Sequence, residues 1–143
     1  MSPGAVPTLQ AMFAELNRGG VDAISPAFVE RYFDADVVWQ SASGDARPLR
    51  GRAQVLEQLR SWGLAMDAFR SEPEEIIDAG ELIVAVHHAH GVMRGSNAEL
   101  DVRYASVSLV RDRVIVSHRQ YRRLEEALAA AAQDHLRREH GSG

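Results

Sequence analysis

The stretch 82–122, LIVAVHHAHGVMRGSNAELDVRYASVSLVRDRVIVSHRQYR, decides the fold. β-branched and aromatic residues recur through it with a period near two. Two clusters of turn formers, Arg94-Gly95-Ser96-Asn97 and Arg111-Asp112-Arg113, cut it into runs near Leu82–Met93, Ala98–Val110 and Val114–Arg122. A fourth run, Glu74–Ala79, precedes them across Ala79-Gly80-Glu81. Strands joined by turns this short must pair antiparallel, because a parallel pair needs a crossover of about a dozen residues or more. The stretch therefore predicts a four-stranded meander.

Upstream the period becomes helical. Thr8 can cap a helix carrying Leu9, Met12, Phe13 and Leu16, which Asn17-Arg18-Gly19-Gly20 closes. Ser25-Pro26 opens a short helix that buries Phe28, Val29, Tyr32 and Phe33 and is broken by Asp34 and Asp36. Val37-Val38-Trp39 reads as a strand and Ser41 to Arg50 as turns. Ala53 to Phe69 repeats Val55, Leu56, Leu59, Trp62 and Met66 as a long amphipathic helix closed by Pro73. Downstream of the meander, Leu124 to Leu136 is an alanine-rich terminal helix. Helices before a run of strands make an α+β fold. The expectation is a cone-shaped barrel, a curved antiparallel sheet wrapped around the long helix, with helices N-terminal and a short C-terminal helix. It forms a single domain over residues 1–143, ordered from about 8 to 132, with flexible ends at 1–7 and 137–143.

Composition narrows the function. The chain has 143 residues, 45% hydrophobic and 25% charged, the balance of one globular domain. Its formal net charge of −4, with no basic stripe, argues against a nucleic-acid surface. Zero cysteines exclude a disulfide framework and a thiolate nucleophile. No segment approaches the ~18 apolar residues of a membrane span, and Met1 to Leu9 lacks the character of a secretory signal, so a cytoplasmic location without membrane contact is expected.

Three motifs carry a resemblance: Leu49-Arg50-Gly51-Arg52, Arg111 to Val116, and Tyr121-Arg122-Arg123-Leu124-Glu125-Glu126-Ala127-Leu128. In this order and spacing the chain resembles the nuclear-transport-factor-2-like superfamily and its SnoaL-like branch, related to ketosteroid isomerases and polyketide cyclases. The resemblance implies the cone-shaped fold, a homodimer and a small hydrophobic ligand, and no cofactor. It does not transfer a mechanism. The ketosteroid isomerase base falls on Gln40 or Ser41, the acid of its oxyanion hole falls near Ala105, and the first helix lacks a tyrosine. The cyclase motif keeps its histidine as His118 but has Gln120 where an aspartate belongs. Asp101-Val102-Arg103 offers the pair used by limonene-type epoxide hydrolases in reverse order.

Strand parity then nominates a pocket. Pairing across Asp112-Arg113 with partner numbers summing to 225 sets Val107 against His118, Ala105 against Gln120 and Arg103 against Arg122. This face, extended through Val84, Val86, His88, His90 and Val92, is the more apolar and is expected to line the hollow. Tyr104, Ser106, Arg119 and Tyr121 fall on the opposite, outer face, where a second copy could pair. The catalytic candidates are His88 and His118 as acid/base, with Asp101 orienting an imidazole. Trp39, Ser41, Trp62, Val86, His90, Arg103, Val107, Gln120 and Arg122 are expected to contact substrate. His88, His90, His118 and Asp101 are also metal-ligand types, but no metal is expected. The expected function is a small-molecule pocket protein, an isomerase, cyclase or dehydratase working by proton transfer on a hydrophobic oxygenated substrate. The alternative is a non-catalytic ligand-binding or dimeric assembly module.

Overall fold

The computed structural model describes residues 5–42, 47–79 and 81–141. Part of the expected flexible ends, residues 1–4 and 142–143, and turn residues 43–46 and Gly80 lie outside the described residues. Helices α1 (Ala5–Gly19) and α2 (Pro26–Tyr32) flank a short 3-10 turn, Gly20–Ala23. Strand β1 (Phe33–Gln40), a two-residue β2 (Leu49–Arg50) and α3 (Arg52–Ala65) follow. The meander is β3 (Met66–Ala79), β4 (Leu82–Met93), β5 (Glu99–Arg111) and β6 (Val114–Tyr121), and α4 (Leu124–Gly141) ends the chain.

The capping chemistry of α2 is as the sequence predicts: Ser25 Oγ accepts from the Phe28 N–H at 3.2 Å with Pro26 in the first turn. Helix α1 starts earlier than Thr8, at Ala5, with Pro7 in its first turn, where no intrahelical donor is lost. Asp34 and Asp36 do not break α2. Phe33 is already extended, and both aspartates lie in β1, the Asp34 carboxylate accepting from the Asp36 N–H. Likewise α3 stops at Ala65 rather than Phe69, and Pro73 lies inside β3. Met66 onward gains a ladder with β4, from Met66 opposite Met93 to Ala79 opposite Leu82. A proline is tolerated there because β3 is an edge strand and the register shifts beside it. The β5–β6 hairpin turns on Asp112 (φ 52°) and Arg113 (φ 66°), the two left-handed residues of a primed turn.

The sheet is six-stranded, curved and open, in the order β2-β1-β6-β5-β4-β3. It is mixed rather than wholly antiparallel, since β1 runs parallel to β6, a pairing of distant segments that local pattern does not reveal. Each face carries a core. On the inner face α1, α2 and α3 pack Leu9, Met12, Phe13, Phe28 and Val55 against Phe33, Val37, Trp39, Ile83, Ala85, Val110 and Ile115. On the outer face Ala127 and Ala131 of α4 pack on Leu82, Val84, Ala105 and Val107. Arg119 of β6 and Asp134 of α4 form an ion pair that ties this helix down. Among the described residues no helix is long and apolar enough to cross a membrane.

Candidate functional site

Apolarity cannot choose the pocket face of a sheet with helices on both sides, and here it chooses the wrong one. Val84, Val107 and Ala105 lie under α4. Val86, His88, His90, Asp101 and Arg103 share their parity and face outward, away from the hollow. Near the turn the β5–β6 register is the expected one, with Val110 opposite Ile115. Beyond it Leu109 pairs with Ser117, so that Val116 is an extra, unopposed residue, a β-bulge. His118 therefore meets Ser108 rather than Val107 and turns inward. Tyr104 and Ser106, expected outside, are also on the inner face, with Ser106 fully buried.

The inner face presents a buried polar layer across four strands. His118 Nδ1 shares a hydrogen bond with Ser108 Oγ at 2.8 Å, and His87 Nε2 shares one with Ser106 Oγ at 2.7 Å. The His87 ring stacks on Tyr104 at 4.7 Å, and the Tyr104 hydroxyl meets Ser71 Oγ at 2.9 Å. Asn17 of α1 closes the row: its Nδ2 donates to the Ser71 carbonyl while its Oδ1 accepts from the Ser71 N–H. Trp39 packs 4.3 Å from His118 and 6.3 Å from Trp62. Both histidines have zero exposure, and burial disfavours the imidazolium, lowering His87 to about 4 and His118 to about 3. Burial raises Tyr104 to about 12. These groups are neutral near pH 7, fitted for donating or accepting hydrogen bonds rather than for taking up a proton. Trp39 Nε1, His87 Nδ1 and His118 Nε2 are buried without a hydrogen-bond partner among the described residues. Each unmet group costs ~1–3 kcal/mol.

A cavity of about 420 Å³ opens beside this layer, between the end of α1, α3 and the start of β3. Asn17 and Trp62 belong to its wall, which Leu16, Ile24, Leu59 and Met66 make apolar. Asp67, Ala68, Phe69 and Arg70 all line it, which consecutive residues of a regular strand could not do. A bulge permits it. Ala68 and Phe69 together stand opposite Gly91 alone, and Ala68 is held left-handed at φ 54°. Gly91 sits close against the bulge, since a Cβ there would lie 3.2 Å from Phe69 Cα and 3.4 Å from the Asp67 carbonyl oxygen, and that backbone would have to give by a few tenths of an ångström to admit it. Gly91→Val is expected to lower stability by ~1–3 kcal/mol through this overpacking, with Gly91→Ala smaller, as read from urea denaturation midpoints.

The remaining candidates separate. Trp39, Ser41 and Trp62 line a smaller cavity of about 190 Å³, which shares Trp62 with the larger one. Gln120 and Arg122 line a different cleft of about 350 Å³ with Tyr121 and Glu126. On the outer face His88 Nε2 and Asp101 Oδ1 are 2.6 Å apart, with the Asp101 side chain 70% exposed. Glu74 pairs with Arg103 at 2.7 Å, and His90 lies 3.7 Å from Glu72. His88 therefore has the expected orienting carboxylate, but in solvent rather than in a pocket. His118 lies on the other face from His88, His90 and Asp101. Among the described residues no group of three or more histidines and carboxylates is arranged to hold a metal ion. The sequence reading missed His87, Ser106, Ser108, Tyr104, Ser71 and Asn17. The available signal was the terminal helix itself, whose Leu124, Ala127 and Ala131 require an apolar sheet face outside the hollow.

Residues 9–118 match the model of the SnoaL-like domain family. No curated protein sequence matches the chain. Among solved structures, an NTF2-like protein of unknown function from Burkholderia pseudomallei superposes with a TM-score of 0.69 at 17% identity, over 88% of this chain and 95% of that one. A hypothetical protein with a ketosteroid isomerase-like fold from Catenulispora acidiphila, in complex with trimethylamine, gives 0.66 at 19% identity over 90% and 92%. A candidate SnoaL-like polyketide cyclase from Jannaschia gives 0.69 at 14% identity over 91% and 94%. At these identities the likeness establishes the fold.

Proposed function

Because the chain belongs to the SnoaL-like domain family, we propose that it is a small-molecule pocket protein whose ligand, mainly apolar and bearing an oxygen function, occupies the cavity between α1, α3 and the bulged start of β3. The observation that carries this reading is the cavity itself. Its volume of about 420 Å³ is of ligand size and its wall is largely apolar, with Asn17, hydrogen-bonded to Ser71 of the polar layer, among the polar groups that line it. In a thermal-shift screen of small phenols, ketones and carboxylic acids, a ligand at about 100 times its Kd is expected to stabilise the protein by ~2.7 kcal/mol. Gly63→Leu places a side chain in the cavity from α3, where leucine also favours the helix. This variant is expected to fold and to lose the shift. Shifts that persist in Gly63→Leu, or a wild-type protein that no member stabilises, would refute the cavity as the ligand site.

The geometry supports binding better than proton abstraction. The His88–Asp101 pair stands in solvent, and the inner histidines are neutral. If the chain is an isomerase, cyclase or dehydratase, the inner imidazoles are neutral hydrogen-bonding groups set back from the cavity wall, and a ligand oxygen would have to reach past Trp39 or Asn17 to be polarised by them. The serine hydroxyls rotate, so either imidazole can present an N–H or a lone pair at its unpaired nitrogen.

A further inference from the structure

The wall of the large cavity is apolar, but its rim is not. Arg18, Arg70 and Arg94 line it, with Asp67 the one acidic residue among the described lining residues, on a chain whose formal net charge is −4. Two of the three guanidinium groups are occupied. Arg94 donates from Nε and Nη2 to Asp67 Oδ1 at 3.0 and 2.7 Å, and Arg70 Nε donates to Glu72 Oε1 at 2.8 Å. Arg18, in the last turn of α1, has no hydrogen-bonded carboxylate partner among the described residues. The acid one turn before it, Glu15, is already engaged by Arg31 Nη1 and the Tyr32 hydroxyl, each at 2.5 Å. Arg18 is thus balanced only through space by Glu15, whose oxygens are hydrogen-bonded elsewhere, and it lines an apolar cavity within a chain of opposite net charge.

We propose that the ligand of this cavity carries an anionic head, a carboxylate, that is read by Arg18 while its apolar part lies against Leu59, Trp62 and Phe69. This rests on the cavity being the ligand site. The planar guanidinium fork matches a carboxylate with two parallel hydrogen bonds, an interaction that a neutral amide of the same shape cannot reproduce. A cationic head would meet Arg18, with Arg70 and Arg94 beside it already paired to Glu72 and Asp67.

The test is calorimetric titration of the full chain with matched pairs: octanoate against octanamide, and hydrocinnamate against hydrocinnamamide. Each carboxylate is expected to bind about tenfold more tightly than its amide near 0.01 M salt. The preference is expected to shrink towards 1 M salt, as the screening length falls from ~30 to ~3 Å. Arg18→Gln is expected to bring carboxylate affinity down to about that of the matched amide, whereas Arg18→Lys, which keeps the charge but not the fork, retains only part of the preference. Amides that bind as well as carboxylates, or a preference that survives Arg18→Gln, overturn the anionic head while leaving the cavity in place. If no probe binds the wild-type chain, the cavity reading falls and this inference with it.

Discussion

Acidification from pH 7.5 to pH 5 is expected to lower the unfolding free energy by ~4 kcal/mol, about 2 kcal/mol from each of His87 and His118. In the unfolded chain both titrate near the ordinary value of 6.5. In the folded chain burial lowers them to about 4 and about 3, and the charge of His87 further opposes that of His118. Between pH 6.5 and about 4 the unfolded state thus binds more protons than the folded one. The stability these groups contribute is fully present above pH 6.5 and is lost as pH falls towards the folded values. Glu15, Glu72, Glu74 and Asp101 are held below the usual carboxylate range by their hydrogen bonds, Glu15 to Tyr32 and Arg31, Glu72 to Arg70, Glu74 to Arg103 and Asp101 to His88. Their losses begin below about pH 5, so the window from 7.5 to 5 isolates the histidines. Urea denaturation across this window checks the slope, and His87→Gln or His118→Gln should each halve it. A slope unchanged in both variants would show that neither histidine is held neutral by the fold.

Phe33→Ala is expected to cost ~3–5 kcal/mol, a large share of the ~5–15 kcal/mol by which a domain of this size is stable. Phe33 has zero exposure and stands at the junction of α2 and β1. Its ring centroid lies 6.4 Å from Phe28 and 6.0 Å from Trp39, and its carbonyl accepts from Arg52 Nε at 2.9 Å. It also pairs with Ile115 where β1 joins β6. Truncation leaves a void between α2 and the sheet that the anchored backbone cannot close. Phe33→Leu, which keeps much of the volume, should lose roughly half as much or less. An alanine variant within about 1 kcal/mol of wild type by denaturant titration would mean that this junction repacks freely.

Local chemistry by itself determined the elements of this protein. The cap at Ser25, the helical spacing of Leu9 to Leu16 and the turn formers at Arg94–Asn97 and Arg111–Arg113 placed most helices and the meander, because each signal acts within a few residues. From the meander and its motifs followed the fold family and a hollow. Tertiary structure alone decided where α3 yields to β3, since the ladder with β4 outweighs the helical pattern of Met66 and Phe69. It also decided the parallel contact of β1 with β6 and which face is the inside. One unpaired residue, Val116, shifts the β5–β6 register and turns His118 inward. One terminal helix covers Val84 and Val107, leaving the serines, Tyr104 and His87 for the interior. Strand parity is exact along a chain but silent about bulges and about which helix covers which face. Histidine and carboxylate were therefore legible in the sequence as chemical types, whereas the inside or outside of the cone was set by packing across the whole molecule.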